Sequence, residues 1–168
     1  MVCKAFSAAL CGIDAVMVQA EADVRNGLPA FQLVGALAAE AKEAKERVRV
    51  AMENAGFRLP PKHITINLSP ADIRKEGTAF DLPIAISVLA AFGYISKEKL
   101  KNCILVGELS LDGKLNPVRG ILPVACLAKE EGFKQILVPV QNAAEASVAD
   151  GLSVYGVHRL KEAVDFFN

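Results

Sequence analysis

RKEGTAFDLPIAI, residues 74–86, leads a charged, glycine-containing loop directly into a segment with almost no polar residue. Asp81 is a favoured N-cap residue type, and Leu82-Pro83 suits a first helical turn whose amide groups are unpaired anyway. From Pro83 to Phe92 only Ser87 is polar, which predicts a helix enclosed on nearly all sides. Many enzymes present a nucleophile on such a loop, with the helix N-terminus directed at an oxyanion. The plainer interpretation is a capped core helix that is reached through an exposed loop.

The chain before this loop begins with three predicted strands. Residues 3–11 and 14–24 flank Gly12-Ile13-Asp14, and the second segment alternates apolar with polar residues, which is typical of a strand with one wet face. Asn26-Gly27-Leu28-Pro29 predicts a turn into a third strand at residues 30–34. We expect the three strands to form an antiparallel meander.

The remaining segments alternate between helix and strand. Alanines and other apolar residues recur every three or four positions over residues 38–55, which predicts a helix that Gly56 ends. Asp112-Gly113 predicts a tight hairpin turn. The other predicted helices are 83–92, 121–131, 142–149 and 159–167, and the other predicted strands are 63–68, 103–109, 114–117, 135–138 and 153–155. This order predicts one α/β domain, at the border with the α+β class, in which helices pack against a mixed sheet.

Composition limits the classes of function. The chain has 168 residues, of which 52% are hydrophobic and 23% charged, so wholesale disorder is excluded. Lys plus Arg and Asp plus Glu both number 19, so the domain as a whole does not attract polyanions, and we expect weak, salt-sensitive nucleic-acid binding at most. No apolar run approaches the roughly 20 residues that span a bilayer, and the first residues do not resemble a signal peptide.

The four cysteines and two histidines show no zinc-site spacing. We expect buried free thiols in a reducing cytosol, with a Cys3–Cys11 pair across a hairpin as the alternative. The sequence therefore predicts a cytoplasmic protein without a metal site.

Candidate catalytic residues near the loop are Ser69 and Thr78 as nucleophiles, with Lys75 or Lys114 as bases. A hydroxyl–lysine dyad requires a lysine that burial has deprotonated. Lys75 lies between Arg74 and Glu76 in a polar loop that we expect to be exposed, and Lys114 follows the hairpin turn. Both lysines are therefore interpreted as surface charges.

The predicted helix at 38–55 carries a basic row. Lys42, Lys45 and Arg49 could contact phosphate, but acidic residues alternate with them, which favours a solvated face with pairs such as Glu43–Arg47. The chain has no G-x-x-x-x-G-K-[ST] loop, so we expect no cofactor in this chain and no ATP hydrolysis by it alone.

Three segments together resemble one family. They are SAALCGIDAVMVQAEADVRNGLPAFQLVG (7–35), KERVRVAMENAGFRLPPKHITINLSPADIRKEGTAFDLPIAI (45–86) and LVGELSLDGKLNPVRGILPVACLAKEEG (105–132). They are similar to the N-terminal, ChlI-type domain of the magnesium-chelatase-like AAA+ ATPases, the competence protein ComM family. The resemblance implies a Lon-protease-like fold of the ribosomal-S5-domain-2 superfamily.

The resemblance also implies partners and cofactors. In the family this domain precedes an AAA+ module, expected here beyond residue 168, which binds ATP and Mg. ComM-type members resemble hexameric motors that move branched DNA in recombination and transformation. The implied partners are the protein's own AAA+ module, neighbouring ring subunits and, weakly, DNA, and no membrane.

When the chain is aligned with the Lon-type peptidases, Glu76-Gly77-Thr78-Ala79 matches the motif D-G-P-S, which places Ala79 at the position of the nucleophilic serine. Pro117 to Leu122 matches P-I-G-G-L-K, which places Leu122 at the lysine position. The resemblance therefore implies no catalytic residue. A Ser/Thr-Lys peptidase and a stand-alone S5-like nucleic-acid-binding module are the alternatives.

The sequence departs from the family at Gly35-Ala36-Leu37-Ala38, where members usually read G-L-P-D. A helix-starting proline and a capping aspartate are lost there, which puts any contact made by that corner in doubt. The residues we expect at a subunit or DNA contact are Arg74, Lys75, Glu76, Arg119, Lys42, Lys45 and Arg49.

Overall fold

The computed structural model describes residues 2–168. Its strands are β1 (Val2–Cys11), β2 (Asp14–Arg25), β3 (Ala30–Val34), β4 (His63–Ser69), β5 (Cys103–Leu105), β6 (Glu108–Leu109), β7 (Leu115–Asn116), β8 (Gln135–Pro139) and β9 (Ser153–Val157). Its α-helices are α1 (Ala39–Lys42), α2 (Ala44–Asn54), α3 (Asp81–Ala91), α4 (Ile121–Glu130), α5 (Ala143–Ala146) and α6 (Leu160–Phe166).

Seven strands form a mixed sheet in the order β3-β4-β2-β1-β5-β8-β9, which confirms the predicted class. The predicted meander is wrong in its third strand. Strands β1 and β2 pair in antiparallel fashion, but β4 occupies the other edge of β2, and β3 pairs with β4 in parallel. Alternate residues of β4, such as Ile64 and Ile66, are buried, whereas β3 is only partly buried. This difference fits the position of β4 inside the sheet, with a neighbouring strand on each side, and that of β3 at the edge.

Helices cover both faces of the sheet. On one face α3 packs against β1, β2 and α2, and ten of its residues, Asp81 to Ala90, are buried. Residues of α6 belong to the same apolar cluster. On the other face α4 and α5 enclose a second apolar cluster with Ile104, Ile136 and Val138. The enclosed helix predicted after the loop is confirmed. The helix occupies a fixed place in the core, so its N-terminus is a rigid support for the loop.

Three predicted segments differ in detail. The helix predicted at 38–55 breaks at Glu43 into α1 and α2. The predicted strand at 103–109 divides into β5, in the main sheet, and β6, which pairs with β7 around Asp112-Gly113 as predicted. The helix predicted at 142–149 is only the four residues of α5, preceded by a 3-10 turn.

The prediction of buried free thiols is correct for Cys3 and Cys103. It is wrong for Cys11 and Cys126, which are exposed. Cys3 and Cys11 both lie on β1, so they do not face each other across a hairpin. Between Val2 and Asn168 none of the helices has the length and apolarity to cross a membrane.

Candidate functional site

The loop between β4 and α3 is attached first to the segment that precedes α1. The Lys75 amide donates to the Ala36 carbonyl oxygen at 2.7 Å, and the Ala38 amide donates to the Lys75 carbonyl oxygen at 2.9 Å. These bonds form a short parallel bridge between Leu37 and Lys75. The corner at Gly35-Ala36-Leu37-Ala38 therefore lies directly against the loop.

Lys75 contradicts the prediction of an exposed surface charge, because its side chain is 0% exposed. Its ammonium group turns inward and donates to the Pro70 carbonyl oxygen. Burial lowers the pKa of Lys75, and the charge of Asp72 partly opposes that change. The sequence around Lys75, with Arg74 and Glu76 on either side, gives no sign of this inward turn, because the acceptor is a backbone oxygen.

A second attachment joins the loop to α1. The Gly77 amide donates to Oε1 of Glu40 at 3.0 Å, and this bond lowers the pKa of the Glu40 carboxyl. Gly77 has a φ of +80°, a left-handed conformation that glycine adopts without strain. The turn at the apex of the loop therefore presents its amide to a carboxylate of the same chain.

The third attachment begins at Asp81, which was predicted to cap α3. It is instead the first residue of the helix, and no side-chain cap bond forms. Its fully buried carboxylate accepts from Arg47 Nε at 2.9 Å, from Arg47 Nη2 at 3.0 Å and from the Leu109 amide at 2.9 Å. The cap prediction is wrong because these distant donors occupy the oxygens that would otherwise accept from the first turn.

Arg47 extends this contact to α1, since its Nη2 also donates to the Glu40 carbonyl oxygen at 3.0 Å. Hydrogen bonding to Asp81 raises the pKa of Arg47, so the guanidinium stays charged. Burial raises the pKa of Asp81, and the two partners, Arg47 and the Leu109 amide, oppose that rise. One buried ion pair thus connects α1, α2, α3 and β6.

Backbone bonds complete the attachment on the β6 side. The Gly107 amide donates to the Ala79 carbonyl oxygen, and the Leu82 amide donates to the Gly107 carbonyl oxygen, both at 3.0 Å. The loop is therefore held by α1 and α2 on one side and by the chain entering β6 on the other.

These segments enclose a pocket of about 440 Å³. Its opposite wall is the segment before α4, where Asn142 holds Val118 through two hydrogen bonds, each 2.9 Å long. Gly120 lies so close to Leu10 that a Cβ atom there would come within 2.4 Å of the leucine side chain. The lining residues are Ala8, Ala9, Leu10, Glu40, Glu76, Gly77, Thr78, Ala79, Phe80, Val106, Glu108, Pro117, Val118, Arg119, Ile121 and Val124.

The residues that line the pocket do not supply the groups of a nucleophile site. Ala79, at the implied serine position, lines the pocket, whereas Leu122, at the implied lysine position, lines a separate groove with Ile13 and Pro123. Thr78 is the hydroxyl residue that lines the pocket, but the amine of Lys75 is bonded to Pro70. Acyl transfer requires a nucleophile and a base within hydrogen-bonding reach of each other.

The other candidate dyad residues lie apart. Ser69 ends β4, where it pairs with Gln19. Lys114 lies after the hairpin turn, with its Nζ 3.9 Å from Asp112 Oδ2, and both side chains are 57% exposed. The interpretation of Lys114 as a surface charge fits this position.

The predicted contact residues divide between two regions. Arg74, Glu76 and Arg119 are exposed, and Glu76 and Arg119 line the pocket while Arg74 lies 3.4 Å from Glu76. On α1 and α2, Lys42 and Lys45 are exposed.

The third member of the basic row, Arg49, is engaged by its own helix. It forms ion pairs with Glu46 at 2.9 Å and with Glu53 at 3.3 Å. The basic row is thus partly neutralised, as its acidic neighbours suggested.

Four residues that shape the pocket were missed from the sequence: Glu40, Arg47, Glu108 and Asn142. The contact of Arg47 had a detectable signal in the sequence. Arg47 flanks the apolar stripe of α2, and Asp81 is an acidic residue at the start of the otherwise apolar α3, so the two could be expected to pair. Over the part of the chain that the structure describes, no three His, Cys, Asp or Glu residues are grouped to hold a metal ion.

Comparison with known proteins gives consistent similarities. The family model described as subunit ChlI of Mg-chelatase matches residues 20–142. The chain is 44% identical over 157 residues to an uncharacterized protein of Mycobacterium tuberculosis, covering 94% of this chain and 31% of that protein. It is 43% identical over 163 residues to the competence protein ComM of Haemophilus influenzae, covering 97% of this chain and 32% of that protein.

A more distant similarity is to Lon protease 2 of Bacillus subtilis, 28% over 127 residues, covering 74% of this chain and 22% of that protein. The chain spans about a third of the length of the mycobacterial and Haemophilus relatives.

Proposed function

The chain belongs to the family of subunit ChlI of Mg-chelatase, and on that basis we propose that it is a non-catalytic accessory domain of an AAA+ ATPase. One observation carries the proposal: the loop is hydrogen-bonded to its surroundings beside a pocket, and Ala79, which the resemblance to Lon-type peptidases places at the serine position, lines that pocket without a nucleophilic group. Rigid loops on a packed core are suited to contacts that must be held in position. The name of the Haemophilus relative, competence protein ComM, supports a role in DNA recombination or transformation.

In this proposal the domain serves ring assembly, regulation or DNA guidance. A separate AAA+ module of the same protein binds ATP and Mg and hydrolyses the nucleotide, and neighbouring subunits form a hexameric ring. Arg74, Glu76 and Arg119 supply the exposed charges of the contact, with Lys42, Lys45 and Arg49 as a second surface. Direct DNA binding by the domain is weak, because its net charge is zero and Arg49 is already paired.

The coding sequence downstream of the Asn168 codon gives the first test. We expect a Walker loop, G-x-x-x-x-G-K-[ST], within some tens of codons. A stop codon directly after Asn168 overturns the proposal.

The second test uses the longer protein. Arg74→Glu combined with Arg119→Glu is expected to weaken ring assembly, measured by sedimentation velocity, or DNA-stimulated ATP hydrolysis. Lys161→Glu is the matched control, because Lys161 is an exposed cation on α6 outside the pocket lining. If assembly and DNA stimulation remain at wild-type levels in the double variant, the loop is not a contact surface.

A further inference from the structure

The pocket beside the loop has an apolar interior and a charged mouth. Ala8, Val106, Ile121 and Val124 are buried and supply apolar lining. The charged lining residues are Glu40, Glu76, Glu108 and Arg119. Carboxylates thus outnumber cations, although the charge of the whole chain is balanced. Pockets with apolar walls and a few convergent polar groups are the usual form of binding sites.

The three carboxylates differ in their availability to a ligand. Glu40 already accepts the Gly77 amide at 3.0 Å. Glu76 lies 3.4 Å from Arg74, but both side chains are 69% exposed, so this surface ion pair is weak and exchangeable. Glu108 is half-buried, and across residues 2–168 its carboxylate has no hydrogen bond and no ion pair within 4 Å, although its charge acts on the nearby Arg47 and Asp81 side chains. Glu108 is therefore the carboxylate that is most available to bind a cationic ligand.

The wall opposite the loop has the reverse polarity. Arg119 is exposed at the mouth. It precedes α4, a ten-residue helix whose N-terminus has no side-chain cap. The first amides of a helix are unpaired and carry partial positive charge. A ligand that suits both walls has a cationic group for the carboxylates and an oxygen acceptor for Arg119 and α4.

We propose that this pocket receives a lysine or arginine side chain of a protein partner, with Glu108 and Glu76 binding its charge and the apolar walls contacting its methylene groups. The adjoining peptide carbonyl oxygen faces Arg119 and the start of α4. Lysine and arginine bury apolar stems while their charged heads stay at polar groups, which fits this lining. Charge complementarity selects the cation, and the partner is a basic segment of protein.

The test measures binding of three small amides to the 168-residue chain. N-acetyl-arginine amide and N-acetyl-lysine amide are titrated at millimolar concentrations, and N-acetyl-norleucine amide has the aliphatic stem without the charge. We expect the two cations to shift the NMR amide signals of Thr78, Glu108 and Arg119 saturably, and norleucine amide to shift them far less. Equal shifts from norleucine amide, or no shifts from the cations, overturn the proposal.

Two variants identify the carboxylates. Glu108→Gln is expected to weaken cation binding about tenfold or more, since hydrogen bonds to charged groups exceed neutral ones by that order. Glu76→Gln provides a second variant at a more exposed position. Glu130→Gln is the control, because Glu130 lines the neighbouring groove. Unchanged affinity in both Glu108→Gln and Glu76→Gln overturns the assignment.

This inference rests on the proposed function, since it names the chemistry of the partner at the same pocket, but the two fail separately. If the amides do not bind while Arg74→Glu with Arg119→Glu disrupts assembly, the pocket inference is wrong and the contact surface stands. If the amides bind and the double variant assembles normally, the pocket inference stands and the proposed role in the ring is wrong.

Discussion

Arg47 and Asp81, 34 positions apart in the chain, form a two-point ion pair in which the carboxylate is fully buried. The same guanidinium bonds the Glu40 carbonyl oxygen, and the same carboxylate accepts the Leu109 amide. The pair therefore fixes the start of α3 relative to α1 and β6. The pocket walls depend on this contact for their position, although Arg47 and Asp81 are not among the lining residues.

Asp81→Ala is expected to destabilise the domain by about 3–5 kcal/mol, because it removes the buried partner of the partly buried Arg47 guanidinium and leaves only the exposed Glu43 carboxylate, 3.6 Å away. This exceeds the 0.5–2 kcal/mol typical of a lost helix cap. Urea unfolding followed by circular dichroism measures the difference. Arg49→Ala, which removes a surface cation with two exposed partners, serves as the comparison and should cost no more than about 1 kcal/mol.

A double-mutant cycle separates the ion pair from simple packing. Asp81→Asn keeps an acceptor for the Leu109 amide, and Arg47→Met keeps much of the apolar stem. The two substitutions together should cost less than the sum of the single costs, by about 1 kcal/mol or more. Additive costs would contradict the coupling.

Lys75→Glu should strongly destabilise the domain, by about 3 kcal/mol or more, because it places an unpaired carboxylate beside the Pro70 carbonyl oxygen. Arg74→Glu, at the adjacent exposed residue, is expected to stay within about 0.5 kcal/mol. Thermal unfolding of the two single variants provides the measurement. Equal effects would show that Lys75 is solvated, as its sequence neighbours suggest.

Local sequence patterns were sufficient to predict most of the helices and strands. The alternation in β2, the enclosed helix α3 and the Asp112-Gly113 hairpin were all predicted, because each depends on residues near each other in the chain. The position of β3 in the sheet was not predicted, since its short apolar pattern fits an edge position beside more than one strand. Its parallel pairing with β4 determines that position.

The candidate site was less predictable than the fold. The roles of Asp81 and Lys75 were wrong because their partners, Arg47 and the Pro70 carbonyl, are not implied by any local pattern. Charged residues in a polar loop are usually solvated, and only the tertiary contact shows the exception.

Acidification is expected to release the Glu40–Gly77 contact. The Gly77 amide holds the pKa of Glu40 below its ordinary value of 4.5. The contact therefore stabilises the folded state fully above the unfolded-state pKa, and this contribution is lost as the pH falls through the lower folded-state value. In an NMR titration the Gly77 amide signal should move with a midpoint below 4.5. Glu40→Gln should abolish that step, and a midpoint at or above 4.5 would contradict the bond.

The four thiols should react in two classes. Cys11 and Cys126 are exposed, whereas burial raises the pKa of Cys3 and raises that of Cys103 to about 12. Thiolate is the reactive form, so Ellman's reagent at pH 8 should titrate two thiols quickly in the folded chain and all four in urea. Cys11→Ser with Cys126→Ser should remove the fast phase, and a persisting fast phase would place Cys3 or Cys103 at the surface.

The purified chain is expected to cleave neither casein nor peptides. Ala79 has no hydroxyl group, and Thr78, which does line the pocket, has no free amine positioned as a base, since the Lys75 ammonium is bonded to Pro70. Thr78→Ala should therefore leave any trace of hydrolysis unchanged, and so should Ser69→Ala, because Ser69 lies at the end of β4. A fluorogenic peptide assay at neutral and alkaline pH is the measurement, because burial lowers the pKa of Lys75. Cleavage that Thr78→Ala or Ser69→Ala abolishes would mean that a dyad assembles in solution, and the role of the pocket would then be catalytic.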